Sequence, residues 1–185
     1  MIESLGPLER VDGRWALGDA RRPGRARVEF RPDGLLAIAR DSGASGAEVV
    51  PWSRIMLGFR ITLGGRYPRG LYAQMGILGG LPGPFKGRSG GYLHMTVRHP
   101  YEDQELFFDR HPRWYRTRDV LFLQAVMTQL VKDGEVHRLG DADWTARMVE
   151  RLSGFDGWAT ARAMRRAVAE AVEASGPPST GEGPS

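Results

Sequence analysis

Residues 92–111, YLHMTVRHPYEDQELFFDRH, decide the fold because they contain two alternating segments joined by a short polar stretch. Apolar and polar residues alternate through Tyr92–Arg98 and again through Glu105–His111, which is typical of half-buried strands. Pairing the two segments so that all apolar side chains share one face predicts an antiparallel hairpin with residues 99–104 as its turn. In this register the predicted pairs are Arg98 with Glu105, Thr96 with Phe107, His94 with Asp109, and Tyr92 with His111.

Further strands are predicted before this hairpin. Ala26–Phe30 and Leu35–Arg40 flank Arg31-Pro32-Asp33-Gly34, where Pro suits the second turn position and Gly suits a left-handed exit. Residues 14–17 are a further candidate strand. Residues 49–55 lead into the alternating segment Ile55–Leu63, which predicts another half-buried strand.

Three helices are predicted after the hairpin. The first starts at a Thr117 N-cap, carries an apolar stripe and stops at Gly134. The second runs from an Asp141 cap to Gly154, and the third starts near Asp156. The tail from Ser175 is rich in Gly, Pro, Ser and Thr and is predicted to be disordered.

These elements predict an α+β fold in which an antiparallel β-rich core is closed by one helix and followed by two C-terminal helices. The expected divisions are a core domain over residues 1–138 with a Gly/Arg-rich insert at 64–91, a helical appendage at 139–174, and a tail at 175–185.

Val49-Val50-Pro51-Trp52-Ser53-Arg54-Ile55 resembles the recurrent apolar-Pro-Trp-x-x-Ile strand of bacterial pleckstrin-homology-like (PH-like) domains. Together with the closing helix at 118–132, this resemblance spans roughly residues 11–134. It implies a PH-like core. It also implies a binding module, since most members of that superfamily bind lipids, peptides or protein partners.

The positive charge of the chain is concentrated in one segment. Residues 1–48 hold eight acids and eight bases, and residues 102–185 hold fourteen acids and eleven bases, so the excess comes from residues 49–101, which contain no Asp or Glu. Because 24 of the 26 cations are Arg, coding bias explains part of this abundance, and the missing acids are the stronger signal for an anion-binding surface. The cations of this segment are Arg54, Arg60, Arg66, Arg69, Lys86, Arg88 and Arg98.

A second basic segment lies at residues 110–118, just before the first predicted helix. Helix N-termini favour anions, and Arg binds phosphate through two parallel hydrogen bonds. The candidate anion- or partner-binding residues here are Arg113, Trp114, Tyr115 and Arg116. The alternative is that the two aromatic residues anchor the helix in the core while the Arg side chains are solvated.

An enzymatic alternative centres on His94, Asp109 and His111, which the predicted register brings near one another. Their imidazole and carboxylate groups also suit Zn²⁺ or Fe²⁺, but four His and no Cys favour no metal site, and no cofactor is predicted. The absence of Cys excludes thiolate catalysis and disulfides. Gly87-Arg88-Ser89-Gly90-Gly91 has the spacing of a hydrolase nucleophile motif but lacks a preceding strand and a following helix.

The sequence thus favours a non-enzymatic binding or regulatory module that presents a basic glycine-rich loop to an anionic or protein partner. A nucleic-acid-binding protein is the alternative, an anionic membrane surface is a further candidate partner, and a small enzyme is the second alternative. No signal peptide or apolar run of membrane-spanning length occurs, which predicts a cytoplasmic protein.

Overall fold

The computed structural model describes residues 3–41, 46–63, 90–98, 101–113, 115–155 and 160–176. Within them the chain is α+β, as predicted, with antiparallel sheets followed by three α-helices. The strands are β1 (Ser4–Leu5), β2 (Leu8–Val11), β3 (Arg14–Leu17), β4 (Arg27–Arg31), β5 (Gly34–Ile38), β6 (Ala47–Pro51), β7 (Ile55–Leu63), β8 (Gly91–Val97) and β9 (Glu102–Phe108). The helices are α1 (Thr117–Asp133), α2 (Ala142–Ser153) and α3 (Ala161–Ala174).

Strands β1–β6 form one antiparallel sheet in chain order, and β7–β9 form a second. The segment with the PH-like resemblance is not one strand. Trp52–Arg54 form a 3₁₀ turn between the two sheets, and the Trp52 indole N–H donates to the Arg31 carbonyl at 2.8 Å. A buried Trp with a satisfied N–H therefore fixes the corner at which the chain changes sheets.

The tight turn between β4 and β5 lies where the sequence places it, but its glycine has a different role. Gly34 does not adopt the expected left-handed conformation. A Cβ at this position would lie 2.3 Å from the Val50 carbonyl oxygen, so Gly34 is needed for the close approach of β6.

The β8–β9 hairpin is confirmed, but its predicted register is wrong by four residues. His94 pairs with Glu105 and Thr96 pairs with Asp103, because the turn occupies residues 98–101 and not residues 99–104, so its centre lies two residues earlier. An even shift keeps every side chain on its predicted face, so Leu93 and Leu106 still face the core. The shift does separate His94 from Asp109.

In β7 the predicted alternation holds at Ile55, Phe59 and Leu63, which are buried. Leu57 is instead 57% exposed. The β7–β8 pairing shifts on either side of it, and such irregularities re-aim side chains.

Helix α1 buries the predicted apolar stripe and ends at Gly134, whose φ is 73°. Its N-cap is Arg116, and Thr117 is the first helical residue and not the cap. Helix α2 begins as predicted, with Asp141 accepting hydrogen bonds from the backbone N–H groups of Asp143 and Trp144.

Helix α3 begins at Ala161 after a Thr160 cap, later than the sequence predicts. Helices α2 and α3 pack into the same apolar core as the sheets, and the Trp15 indole N–H donates to the Ala142 carbonyl at 2.8 Å.

The first two residues of the predicted disordered tail are held in place. Ser175 is buried, its carbonyl accepts from Arg147 Nε at 3.1 Å, and the Gly176 carbonyl accepts from Trp144 Nε1 at 3.0 Å. Residues 177–185 lie outside the described residues.

Candidate functional site

The three-stranded sheet has one end at which the basic insert begins and finishes. Leu63, Gly91 and Phe108 pair side by side at this end, so the chain leaves β7 and re-enters β8 next to the last residue of β9. The segment that follows β9, residues 109–116, starts from the same place. The sheet thus places the two ends of the insert beside the start of the second basic segment.

Asp109 is the first residue beyond β9, and its buried carboxylate gathers cations. It accepts hydrogen bonds from the Ala26 backbone N–H at 2.9 Å and from two guanidinium nitrogens of Arg40, while Arg25 NH1 lies 3.9 Å away. Burial alone would raise the pKa of Asp109, but the bonds from Arg40 and Ala26 and the charge of Arg25 outweigh it. The net effect holds the pKa below its ordinary value of 3.8, so the carboxylate is ionised at neutral pH.

Glu9 on β2 is a second buried carboxylate at the same place. It contacts Arg21 through a short hydrogen bond, and its Oε2 lies 2.8 Å from His111 Nε2 and 3.5 Å from Arg113 NH2. Asp19 is a third, with Arg22 Nε at 3.3 Å. The backbone N–H of Asp19 also donates to the Asp109 carbonyl at 2.9 Å.

The carboxylates lie beneath the guanidinium groups. The acidic side chains are 3–6% exposed, whereas those of their cationic partners are 33–55% exposed. With the exposed Asp41 beside Arg40, five cations face four acids, so one net positive charge remains and the exposed part of the assembly is mostly cationic. We call this group the arginine cluster; its members are Arg21, Arg22, Arg25, Arg40 and Arg113.

His111 and Tyr115 complete the buried side of the arginine cluster. The Tyr115 hydroxyl oxygen accepts from the His111 backbone N–H at 2.9 Å and lies 2.7 Å from His111 Nδ1. Because the Glu9 carboxylate can only accept, its 2.8 Å contact with Nε2 favours the tautomer with the ring proton on Nε2, in which Nδ1 accepts from the Tyr115 hydroxyl. Burial, reinforced by the charge of Arg113 and opposed by Glu9, lowers the pKa of His111 to about 4, so the ring is neutral at physiological pH.

Gly18 allows the residue after β9 to pass close to the β3–β4 connection. Its φ is 94°, and a Cβ there would lie 2.7 Å from the Asp109 carbonyl oxygen. The N–H of Asp109 donates to the Ala26 carbonyl at 2.8 Å from the other side. The backbone of Asp109 is thus held in position by these contacts, and its side chain pairs with the cations from there.

The sequence-predicted cations do not form a single patch. Arg113 belongs to the arginine cluster, and Arg116 is exposed at the start of α1. Arg54 and Arg98 lie at the opposite end of the small sheet, six residue pairs or about 20 Å away, where Arg54 Nε donates to the Arg98 carbonyl. Arg60 is exposed in the middle of β7, opposite His94. The remaining predicted residues, Arg66, Arg69, Lys86, Arg88 and Trp114, lie outside the described residues.

Tyr115 is 1% exposed, so its ring lies in the core and does not face a ligand. This agrees with the alternative that the sequence left open, in which an aromatic residue anchors α1. Arg113 and Arg110 lie over the ring at 5.1 and 5.4 Å from its centroid. Tyr115 therefore supports the cations and does not itself form a binding surface.

The three residues of the enzymatic alternative do not converge. His94 Nδ1 contacts Glu105 at 2.8 Å on the open face of the small sheet, while Asp109 lies four residues beyond Glu105, or about 13 Å along the strand. His111 faces Glu9 and Tyr115. In the part of the chain that the structure describes, no three His, Asp or Glu residues are placed to hold a metal ion.

Sequence reasoning missed four of the five cluster residues. Arg21, Arg22 and Arg25 fall in the β3–β4 connection, which the sequence identifies only as a loop, and Arg40 follows β5. The signal available in the sequence was the local density of arginine, since residues 21–27 contain four Arg. Counting charge over residues 1–48 hid it, because acids elsewhere in that range balance the total.

Comparisons with protein-family models, with curated proteins and with solved structures give no match to this chain. None of the described helices is both long enough and apolar enough to cross a membrane.

Proposed function

We propose that this chain is a non-enzymatic binding module whose arginine cluster holds a phosphate-bearing polyanion. The observation that carries the proposal is the layering of charge at the end of the small sheet. Buried Glu9, Asp19 and Asp109 orient arginines that remain 33–55% exposed. A guanidinium group has five N–H donors, so one bonded to a carboxylate from below can still donate to an anion from above.

Orientation by a buried acid lowers the cost of binding. A free Arg side chain loses rotamer freedom when it grips a ligand, at about 0.5–1.5 kcal/mol for each side chain immobilised. Arg40 makes two hydrogen bonds to Asp109, and Arg21 is bonded to Glu9, so part of that freedom is already lost in the free protein. The result is a preorganised cationic surface.

The basic insert supports the same location. Its two ends meet the described chain at Leu63 and Gly90, beside Phe108 and hence beside Asp109. Four of the cations that the sequence singled out lie within the insert. The glycine-rich insert thus leaves and rejoins the described chain beside the arginine cluster, and a PH-like core is the scaffold that we propose for both.

The PH-like part of the proposal is supported by element order. Strands β3–β6, then β7–β9, then α1 follow in the sequence that the resemblance implies. Fold likeness by itself identifies no ligand, so the polyanion rests on the arginine cluster alone.

The test is calorimetric titration with inorganic polyphosphate at low and moderate salt. The variant Arg21→Gln/Arg25→Gln removes two cluster cations while leaving Glu9 with Arg113 and Asp109 with Arg40. We expect it to lower affinity at least about tenfold, since charge-assisted hydrogen bonds contribute about 1.5–3 kcal/mol each. The matched control, Arg165→Gln/Arg166→Gln on exposed positions of α3, removes the same charge elsewhere.

Affinity should also fall as salt rises, because binding releases counterions from the polyanion. The proposal is overturned if polyphosphate does not bind at low salt. It is equally overturned if both double variants lose affinity to the same extent, because the binding would then follow net charge and not the arginine cluster.

A further inference from the structure

The outer face of the small sheet presents an aromatic pair next to the arginine cluster. Tyr92 on β8 pairs directly with Phe107 on β9, and their ring centroids lie 5.3 Å apart at an interplanar angle of 62°. The Tyr92 side chain is 39% exposed, whereas most large apolar and aromatic residues of the described chain are in the core. Neither ring is needed to cover the core, which lies on the other face of the sheet.

Arg40 joins this aromatic pair to the arginine cluster. Its guanidinium carbon lies 5.9 Å from the centroid of the Phe107 ring, and the same group is hydrogen-bonded to Asp109. The exposed Arg60 lies on the other side of Tyr92, two pairs along the strand, in one row with His94 and Glu105. An exposed tyrosine ring thus lies on a three-stranded surface, with Arg40 beside its partner Phe107 and with Arg60 and Glu105 in the row beyond it.

We infer that the polyanion is a single-stranded nucleic acid, with an unpaired base stacked on Tyr92 and the adjoining phosphates held by the arginine cluster. This inference rests on the proposed function and specifies its ligand. Proteins that bind single strands combine a cationic track for the backbone with aromatic side chains on which the bases stack. Polyphosphate and anionic lipid headgroups have no aromatic ring to stack, and the bases of a duplex already stack on one another.

A β-sheet is a suitable support for such stacking. Strand pairing holds the Tyr92 backbone, and the cross-strand contact with Phe107 restricts its ring, so little side-chain freedom is lost on binding. Every base has a face that can stack on a tyrosine ring, whichever base it is. We therefore expect binding with little sequence preference.

The experiment measures fluorescence anisotropy with four probes: a short oligothymidine, an abasic oligomer with the same number of phosphates, the corresponding duplex, and vesicles containing anionic lipid. Tyr92→Ala should weaken oligothymidine binding about 5- to 150-fold, the range expected for loss of one stacked base. Binding of the abasic oligomer should be unchanged. Tyr92→Phe should bind oligothymidine like the native chain, because it keeps the aromatic ring. This variant also shows whether the strand tolerates a substitution at position 92.

Tyr101→Ala is the matched control, since Tyr101 is 70% exposed at the far end of the same hairpin. If no probe binds and polyphosphate also fails to bind, the proposed function fails together with this inference. If polyphosphate binds but oligothymidine binds no better than the abasic oligomer, or Tyr92→Ala changes nothing, only this inference is overturned. Stronger binding to the duplex or to vesicles than to oligothymidine overturns it as well.

Discussion

Mild acid is predicted to destabilise the fold through one buried side chain, His111. The ring is neutral in the folded chain because burial and the charge of Arg113 outweigh the attraction of Glu9 and lower its pKa from 6.5 to about 4. The groups that face the ring are Glu9, Arg21, Arg113 and Tyr115. Protonation would place a cation between arginines, in a site where its Nδ1 already receives the Tyr115 hydroxyl proton.

The direction of the pH effect follows from the two pKa values. The unfolded chain binds a proton at His111 near pH 6.5, and the folded chain binds it only near pH 4. Between these values the unfolded state holds more protons, so the free energy of unfolding falls as pH falls. The contribution is complete above about pH 6.5 and is lost at about pH 4.

The size of the effect is set by the same shift. One pKa unit corresponds to 1.36 kcal/mol, so the lowering of the His111 pKa amounts to about 3 kcal/mol. Domains of this size are stable by only about 5–15 kcal/mol, so the loss is a large fraction of the total. Asp109 acts in the same direction but in a lower range, since its lowered pKa costs stability only as pH falls below about 3.8.

Urea denaturation at several pH values from about 7 to about 4 measures the effect. The variant His111→Gln cannot titrate, so its free energy of unfolding should change about 3 kcal/mol less than that of the native chain over this range. Equal slopes for the native chain and His111→Gln would refute the reasoning, since the ring would then not be held neutral.

Two further predictions concern elements that support the site. The Gln124 side-chain amide accepts from the Ile61 backbone N–H and donates to the Phe59 carbonyl, both on the edge of β7 that β8 does not cover. Gln124→Leu should therefore lower the free energy of unfolding in urea by about 1–3 kcal/mol and promote self-association in sedimentation. Gln129→Leu on the same helix should do neither. A chain ending after Gly176 should melt like the full chain. A chain ending after Ala174 should lose about 1–3 kcal/mol of unfolding free energy, because the buried Trp144 indole N–H loses its acceptor, the Gly176 carbonyl. Equal melting of the two truncated chains would contradict this role of residues 175 and 176.

The β8–β9 hairpin illustrates what alternation along a sequence determines. The apolar pattern fixes which face each residue takes, and both faces were predicted correctly. It does not distinguish registers that differ by an even number of residues, because all of them keep the same faces together. The position of the turn settles the register, and neither residues 98–101 nor residues 99–104 contain a glycine that would mark it in the sequence. The position of the His94 partner therefore could not be predicted.

The arginine cluster could not be predicted for a different reason. Its acids come from β2, from the β3–β4 connection and from the residue after β9, which are far apart in the sequence. A count of charges along the sequence groups each of these acids with its sequence neighbours and not with the arginines that it contacts in the fold. Turn residues such as Pro32 and Asp33, the alternation along a strand and the helix caps determine the conformation of residues only a few positions away. The elements that depend on these local signals were therefore predicted. The cluster depends on contacts between elements, which only the folded chain assembles.

Coding bias supplies an arginine-rich chain with many exposed cations, but it does not explain three carboxylates buried beneath them. Burying an acid costs free energy unless it is paired and hydrogen-bonded, so Glu9, Asp19 and Asp109 are tolerated only because the cations are held over them. In the sequence these acids cancel the charge of their neighbours, whereas on the surface they are hidden and the cations are not. A segment that is neutral by composition is in this way a positive surface in the folded protein. The acid-free insert joins the sheet beside that surface, and these two features together are the basis on which we propose an anion site.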